Sequence, residues 1–186
     1  MQSGVVSQKN VERIVARIVA NELEFRGFRV TDLNKDGLSP DVDLLAARDG
    51  RSLQVQVKGA SQVRRSKGWE NWWVQYGYCD ADTIAQKQPI FNRIASFYKA
   101  DIVALVAVRT PNEYCCVLLP VEKAEEAVQL NLDRDYRTLT LKGSPRRPHK
   151  IWVYLDKTPK FRDQTRKPLF DQELKILNAY MNKWNV

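Results

Sequence analysis

A short segment of the chain carries polar residues where apolar ones would be enough for folding. Asp43 precedes the apolar run LLAA, and Gln56 and Lys58 close the next run, SLQVQVKG. Between the two runs stands Asp49-Gly50, a strong signal for a two-residue type I′ turn. Carboxylate and amide oxygens are ligands of hard cations such as magnesium, and an ammonium group neutralises anionic charge. These residue types have the composition of a site, provided that the two runs pair.

The turn determines which residues face each other. With Asp49-Gly50 as a two-residue turn, Arg48 faces Arg51, so paired residue numbers sum to 99. Asp43 then lies opposite Gln56. Because side chains alternate between the faces of a strand, four polar residues share one face: Asp41, Asp43, Gln56 and Lys58. The other face carries Leu44, Val55 and Val57. The alternative is that the two aspartates are turn residues after Ser39-Pro40 and that Lys58 is a solvated strand end.

An amphipathic helix precedes this hairpin. The segment SQKNVERIVARIVANELEFRG has apolar residues at spacings of three and four, namely Val11, Ile14, Val15, Ile18, Val19 and Leu23. Ser7 or Asn10 suits its N-cap, and Gly27 suits its C-terminal exit. Further strands are predicted for FRVTDL, NWWVQYGY, DIVALVAVR, EYCCVLLP, RTLTLK and KIWVYL, and helices for 88–100, VEKAEEAVQL and DQELKILNAYMNKW.

Length and composition bound the class of protein. The chain has 186 residues, 44% of them hydrophobic, which predicts one domain over residues 1–186. No apolar run is long enough to span a membrane and the first residues lack a signal peptide's apolar region, so we expect a cytoplasmic protein. Three cysteines without a C-x-x-C pair indicate reduced core residues, and a single histidine excludes a two-histidine metal site.

The net charge of +8 favours a polyanionic partner, most often nucleic acid, over a charge that serves only solubility. The excess is concentrated in three basic segments, 62–69, 144–150 and 156–168. Trp69 lies beside the first of them and could stack on bases, whereas alternation within NWWVQYGY directs Trp72 or Trp73 to the core. The candidate nucleic-acid contacts are Arg64, Arg65, Lys67, Trp69, Arg146, Arg147 and Lys150.

The pattern PDVDLL…QVQVKG resembles the motif of the PD-(D/E)XK nuclease superfamily, which includes restriction enzymes, Holliday-junction resolvases and homing endonucleases. The resemblance covers residues 8–58 by motif and residues 71–119 by order of elements. It implies an α/β fold with a restriction-endonuclease-like αβββαβ core, in which helices flank a central mixed sheet. Extra strands and a C-terminal helix would follow after about residue 120 of the same domain.

The resemblance also implies roles for the polar residues. Asp43 would be the main ligand of Mg²⁺, with Mn²⁺ as an alternative ion, and the amide oxygen of Gln56 would be the second. The Val57 carbonyl and Asp41 are further candidate ligands. Lys58 would orient or deprotonate the attacking water, or neutralise charge on the phosphate.

Two departures from the family pattern bear on activity. Gln56 replaces the usual acidic residue, which removes one negative charge, although Q-x-K branches of the superfamily exist. The first helix of the family usually carries a glutamate that faces the site, and here Ala16 occupies the expected position. Glu12, one turn earlier, is the substitute candidate, better placed than Glu22. A solvated charge is the alternative for Glu12.

The sequence therefore predicts a metal-dependent endonuclease that hydrolyses phosphodiester bonds in double-stranded DNA. A homodimer fits this class, because double-strand cutters usually dimerise. The alternative from another class is a nucleic-acid-binding protein on the same fold with little or no cleavage. An RNA-processing or structural subunit is a weaker third hypothesis.

Overall fold

The computed structural model describes residues 8–34, 42–61, 71–79, 99–110, 113–136, 147–154 and 167–184. Their helices are α1 (Gln8–Phe25), α2 (Val121–Tyr136) and α3 (Lys167–Tyr180). Their strands are β1 (Arg29–Asp32), β2 (Leu44–Arg48), β3 (Arg51–Ser61), β4 (Asn71–Cys79), β5 (Ile102–Thr110), β6 (Glu113–Pro120) and β7 (Arg147–Tyr154). No helix in these ranges is long and apolar enough to cross a membrane.

Five of the strands form one mixed sheet in the order β1-β2-β3-β5-β6. Neighbours in this sheet are antiparallel, except β3 and β5, which run parallel. Helix α1 packs on one face, and α2 and α3 pack on the other. The predicted α/β class, with a mixed sheet flanked by helices, is confirmed.

Strands β4 and β7 pair with each other in a separate antiparallel ladder. The strands predicted from NWWVQYGY and KIWVYL are therefore present, although neither joins the five-stranded sheet. The strand predicted over 137–142 lies outside the described residues, as does the helix predicted over 88–100, apart from its last two residues, which are not helical.

Helix α1 ends as its sequence predicts. Gly27 has a φ of +85°, the left-handed conformation that glycine adopts without a Cβ penalty. Its N–H donates to the Glu24 carbonyl at 2.9 Å, and the Phe28 N–H donates to the Leu23 carbonyl at 3.1 Å. This is a Schellman motif, in which the buried side chains of Leu23 and Phe28 supply the usual apolar contact. At the other end Asn10 lies inside the helix, so it is not the N-cap, and Ser7 is outside the described residues.

The buried face of α1 lies against the centre of the sheet. Its buried apolar residues pack with those of β2 and β3 in one cluster, which includes Val11, Val15, Val19, Leu23, Leu44, Ala46, Val55 and Val57. Gly59 in β3 allows the closest approach, because a Cβ at this position would lie 2.4 Å from Cγ2 of Val15. The absence of a side chain at Gly59 thus sets the distance between α1 and the strand that carries Gln56 and Lys58.

We expect Gly59→Ala to lower the free energy of unfolding by ~1–3 kcal/mol, the usual cost of overpacking a filled core. The added methyl group would also lie 2.9 Å from Cβ of Val15. Valine in a helix has one strongly preferred rotamer, so it cannot turn away. Urea unfolding measures the change. Val15→Ala makes room for the methyl group, so an equal cost of Gly59→Ala in the Val15→Ala background would contradict this explanation.

A polar clamp joins α1 to the edge strand β6. The Tyr114 hydroxyl donates to Oε1 of Glu22 at 2.6 Å, and Arg26 pairs with Oε2 of Glu22 at 2.5 Å. The Tyr114 hydrogen bond, together with Arg26, holds the pKa of Glu22 below its usual range. Burial and the Glu22 carboxylate raise the pKa of Tyr114 to about 12. At neutral pH Glu22 is therefore ionised and Tyr114 protonated, as the hydrogen bond between them requires.

The closing helix starts and ends four residues earlier than predicted. It begins at Lys167-Pro168, where proline suits the first turn of a helix, and ends at Tyr180. Met181 then forms an antiparallel bridge with Val117, and the Asn182 N–H donates to the Cys116 carbonyl at 2.7 Å. Pairing with the edge of β6 thus ends the helix before the apolar pattern does.

Cys115 and Cys116 are buried free thiols, as expected of core residues of a reduced protein. Burial raises the pKa of the Cys115 thiol to about 12 and that of Cys116 higher still. Neither cysteine is reactive at neutral pH, because the thiolate is the nucleophilic form. They are core residues of β6.

Candidate active site

The β2–β3 hairpin has the predicted turn and register. Asp49 and Gly50 both have positive φ, +51° and +75°, as a type I′ turn requires. Arg48 pairs with Arg51, and the ladder runs to the pair Leu44 and Val55. Continued by one residue, this register places Asp43 opposite Gln56.

The backbone ladder between β2 and β3 ends at the point where Asp43 begins. The Asp43 N–H still donates to the Val55 carbonyl at 3.1 Å. The next N–H of β3 on the side of β2, that of Val57, donates to Oδ2 of the Asp43 carboxylate at 2.6 Å. The side chain of Asp43 thus takes the place of a backbone acceptor and ties the two strands together where they separate.

The Asp43 carboxylate accepts two further hydrogen bonds. Nε2 of Gln56 donates to Oδ2, and Nδ2 of Asn34 donates to Oδ1. The carboxylate is therefore held by three donors from two parts of the chain: a backbone N–H and a side chain of β3, and a side chain of the segment after β1. These three hydrogen bonds orient the carboxylate.

Gln56 is buried with only part of its hydrogen-bonding capacity used. The residue is 3% exposed, and its Nε2 is bound to Asp43. Among the buried side-chain oxygens and nitrogens of the described residues, Oε1 of Gln56 is the one that has no hydrogen-bond partner. Burying a polar atom without a partner costs about 1–3 kcal/mol, so this oxygen is available to a water molecule or a cation.

The pairing of β3 with β5 determines which face carries these groups. Asp101, just before β5, forms two hydrogen bonds with Gln54 where the two strands begin to pair. Its N–H donates to the Gln54 carbonyl at 2.8 Å, and its Oδ2 accepts from the Gln54 N–H at 2.7 Å. In the resulting register Gln56 lies beside Val103 and Lys58 beside Leu105. Both neighbours belong to the core under α2 and α3. Gln56 and the partly exposed Lys58 therefore share the face opposite to α1, as the alternation predicted.

Glu12 lies on the other side of the sheet from Gln56 and Lys58. It is one turn before Val15, the residue that contacts Gly59, and its side chain is exposed. A carboxylate on α1 can meet the Asp43 group only around the end of the sheet. The catalytic role of Glu12 stays a prediction.

The remaining predicted site residues fall where the structure gives no side chains. Outside the described residues lie Asp41, Arg64, Arg65, Lys67, Trp69 and Arg146. Arg147 and Lys150 lie in β7, of which the backbone is described; Lys150 pairs with Gln75 of β4. The role of these residues as nucleic-acid contacts therefore stays a prediction.

The described residues contain no group of three or more histidine, cysteine, aspartate or glutamate side chains able to hold a metal ion. Within this part of the chain a cation at the site would have Asp43 as its carboxylate ligand. The oxygens that fit a hard cation are those of Asp43 and the unpartnered Oε1 of Gln56, and magnesium is commonly held by one or two carboxylates plus substrate oxygens. These oxygens are thus of the chemical type that Mg²⁺ or Mn²⁺ binds.

Sequence reasoning missed Asn34. It stands in the segment TDLNKDGLSP, where aspartate, asparagine and glycine indicate a turn and nothing more. The signal that could have identified it is its place just after β1, because the strand next to β2 must end near the residue that opens β2. That inference requires knowing that β1 and β2 pair, which the hairpin turn alone does not show.

No protein-family model matches the chain, and no curated protein matches it in sequence. Among solved structures, the bacterial homing endonuclease I-Ssp6803I is similar, with a TM-score of 0.43 and 16% sequence identity over 94% of this chain and 96% of that chain. At this level of similarity neither the family nor the activity is assigned from the likeness.

Proposed function

We propose that the protein is a metal-dependent endonuclease that hydrolyses phosphodiester bonds in DNA, with Asp43, Gln56 and Lys58 as its central site residues. The observation that carries the proposal is the buried, unpartnered Oε1 of Gln56, whose Nε2 donates to the Asp43 carboxylate. We assign the chain to the Q-x-K branch of the PD-(D/E)XK superfamily on the same residues.

Asp43 and Gln56 would hold the cation, Mg²⁺ or Mn²⁺, with the Val57 carbonyl and Asp41 as further candidate ligands. A divalent ion bound there supplies a Lewis acid for the phosphate oxygen and lowers the pKa of a bound water. Asp43 is pre-oriented by its three donors, so little reorganisation is required of it. Gln56 contributes an oxygen without a charge, which leaves the site less negative than an acidic pair would.

Lys58 acts on the substrate side of the same face. Lys58 stands two residues after Gln56 in β3, and its ammonium group has three N–H donors. It holds the attacking water and neutralises the charge that develops on the phosphate. The net charge of +8 supports a nucleic-acid substrate, since neighbouring phosphates need cations around the site.

Substitutions at Gln56 test the metal site directly. Gln56→Leu removes the ligand oxygen, so we expect Mn²⁺ affinity to fall by more than the ~10–100-fold that loss of an outer-shell partner costs. Gln56→Glu places two carboxylates side by side; we expect a lower unfolding temperature without metal and a larger rise with Mn²⁺ than in the wild type. Calorimetric titration and thermal unfolding with and without Mn²⁺ measure both effects.

Gln54 provides the matched control for these variants. It lies two residues earlier in β3, and its side chain is exposed. Gln54→Leu and Gln54→Glu should leave Mn²⁺ affinity unchanged. A wild-type protein that binds no Mn²⁺, or equal effects at Gln54 and Gln56, would remove the basis for a metal-dependent nuclease.

The second candidate function is a nucleic-acid-binding protein on the same fold without cleavage. What favours it is the single carboxylate that the described part of the chain brings to the site. DNA binding without Mn²⁺ binding or strand scission would select this candidate.

A further inference from the structure

Asn34 lies beside Asp43 and is held there by two backbone hydrogen bonds. Its own N–H donates to Oδ1 of Asp32 at 3.1 Å, which forms an Asx turn at the end of β1. The preceding N–H, that of Leu33, donates to the Asp43 carbonyl at 2.9 Å. The side-chain amide of Asn34 is thereby brought to the Asp43 carboxylate, to which it donates.

The hydrogen bonds of Asp43 leave the carboxylate one main acceptor site. A carboxylate has about four lone-pair positions, two on each oxygen. Oδ2 already accepts from the Val57 N–H and from Nε2 of Gln56. Oδ1 accepts from Nδ2 of Asn34. One lone pair of Oδ1 is left by these three bonds, so a cation would meet Asp43 through a single oxygen.

Asn34 also restrains the plane of the carboxylate. The terminal torsion of an aspartate is broad, and rotation about the Cβ–Cγ bond moves both oxygens together. The bond from Asn34 to Oδ1 therefore adds a third restraint on this torsion to the two bonds that Oδ2 accepts. Since Gln56 donates to the same carboxylate, the orientation of the Gln56 amide, and with it the direction of Oε1, depends on this restraint.

The chemistry of the donor is suited to a cation site. An amide donates a hydrogen bond without carrying a charge. A lysine or arginine at this place would form an ion pair with Asp43 and compete with a metal ion for it. Asn34 orients the carboxylate without adding a positive charge beside it.

We propose that Asn34 is a positioning residue of the metal site, which adds a restraint to the Asp43 carboxylate that binds the cation through Oδ1 and, through this carboxylate, to the Gln56 amide that carries Oε1. That a metal ion binds here rests on the proposed function, whereas the position of Asn34 rests on the hydrogen bonds described above. Asn34→Ala should raise the dissociation constant for Mn²⁺ by ~10–100-fold, the usual effect of losing an outer-shell partner.

The experiment has two readouts, of which one needs no metal. Mn²⁺ binding is measured by calorimetry on the wild type, Asn34→Ala and Asn21→Ala, the last being a control at an exposed asparagine of α1. The side-chain amide signals of Gln56 are followed by ¹⁵N–¹H NMR in the metal-free proteins. We expect Asn34→Ala, and not Asn21→Ala, to shift the Gln56 signals, because their acceptor loses its restraint.

The two proposals fail in different ways. An unchanged dissociation constant in Asn34→Ala, or the same change in Asn21→Ala, overturns the role of Asn34 while the metal site stands. A wild type that binds no Mn²⁺ overturns the metal site and, with it, the role of Asn34 in metal binding. A shift of the Gln56 signals would then show only that Asn34, Asp43 and Gln56 are linked by hydrogen bonds. Unchanged Gln56 signals in Asn34→Ala overturn the restraint on the Gln56 amide.

Discussion

Glu173→Ala is expected to lower the free energy of unfolding by ~3–5 kcal/mol, the usual cost of removing one partner of a buried ion pair. Glu173 in α3 is fully buried, and Arg134 in α2 is 3% exposed. Their side chains form an ion pair, and Nδ2 of Asn131 donates to Oε1 of Glu173 at 3.2 Å. Loss of the carboxylate removes this ion pair from the buried guanidinium of Arg134. Urea unfolding of the two proteins measures the difference.

The same helix supplies the control. Lys167 and Asp171 form an ion pair at 2.5 Å with both side chains about half exposed. Such an exposed pair contributes ~0.2–1 kcal/mol, so Asp171→Ala should have a small effect. Equal losses for Glu173→Ala and Asp171→Ala would show that the buried pair does not hold α3 against α2. Replacing Glu173 and Arg134 together by leucine and methionine should recover much of the loss, because no buried charge is then left unpaired.

Lys58→Ala is expected to lower the rate of DNA cleavage by ~10²–10³-fold, which is the typical cost of removing one preorganised donor at a developing charge. The affinity for DNA should change little, because one cation among many contributes little to phosphate binding. Nicking of supercoiled plasmid in Mg²⁺ or Mn²⁺ measures the rate, and filter binding in Ca²⁺ or without metal measures the affinity.

Lys175→Ala is the control for charge. Lys175 is exposed on α3, and its replacement by alanine removes the same single charge as Lys58→Ala. Its variant should cleave at the wild-type rate. If Lys58→Ala cleaves as fast as Lys175→Ala, Lys58 has no part in the reaction. If it loses affinity and cleavage in the same proportion, Lys58 is a binding residue only.

The hairpin shows how much of the site the sequence could predict. The turn residues Asp49 and Gly50 adopt the backbone angles that their types favour, and a two-residue turn allows a single register. Asp43, Gln56 and the face that Gln56 and Lys58 share follow from that register. The C-terminal exit of α1 at Gly27 was predictable for the same reason, since a left-handed residue is a local requirement.

Contacts between distant segments decided the rest. The hydrogen bond from Asn34 to Asp43 depends on β1 pairing with β2, and the sharing of a sheet by β3 and β5 joins segments separated by residues 62–101. The sequence marks Glu173 as an ordinary polar residue of an amphipathic helix, and only the packing of α3 on α2 makes it a buried charge. Helix spacing and turn chemistry act over a few residues and can be read from them. Which strands become neighbours, and which polar groups they enclose, depends on the burial and pairing of the whole core, so these features were decided by the tertiary structure alone.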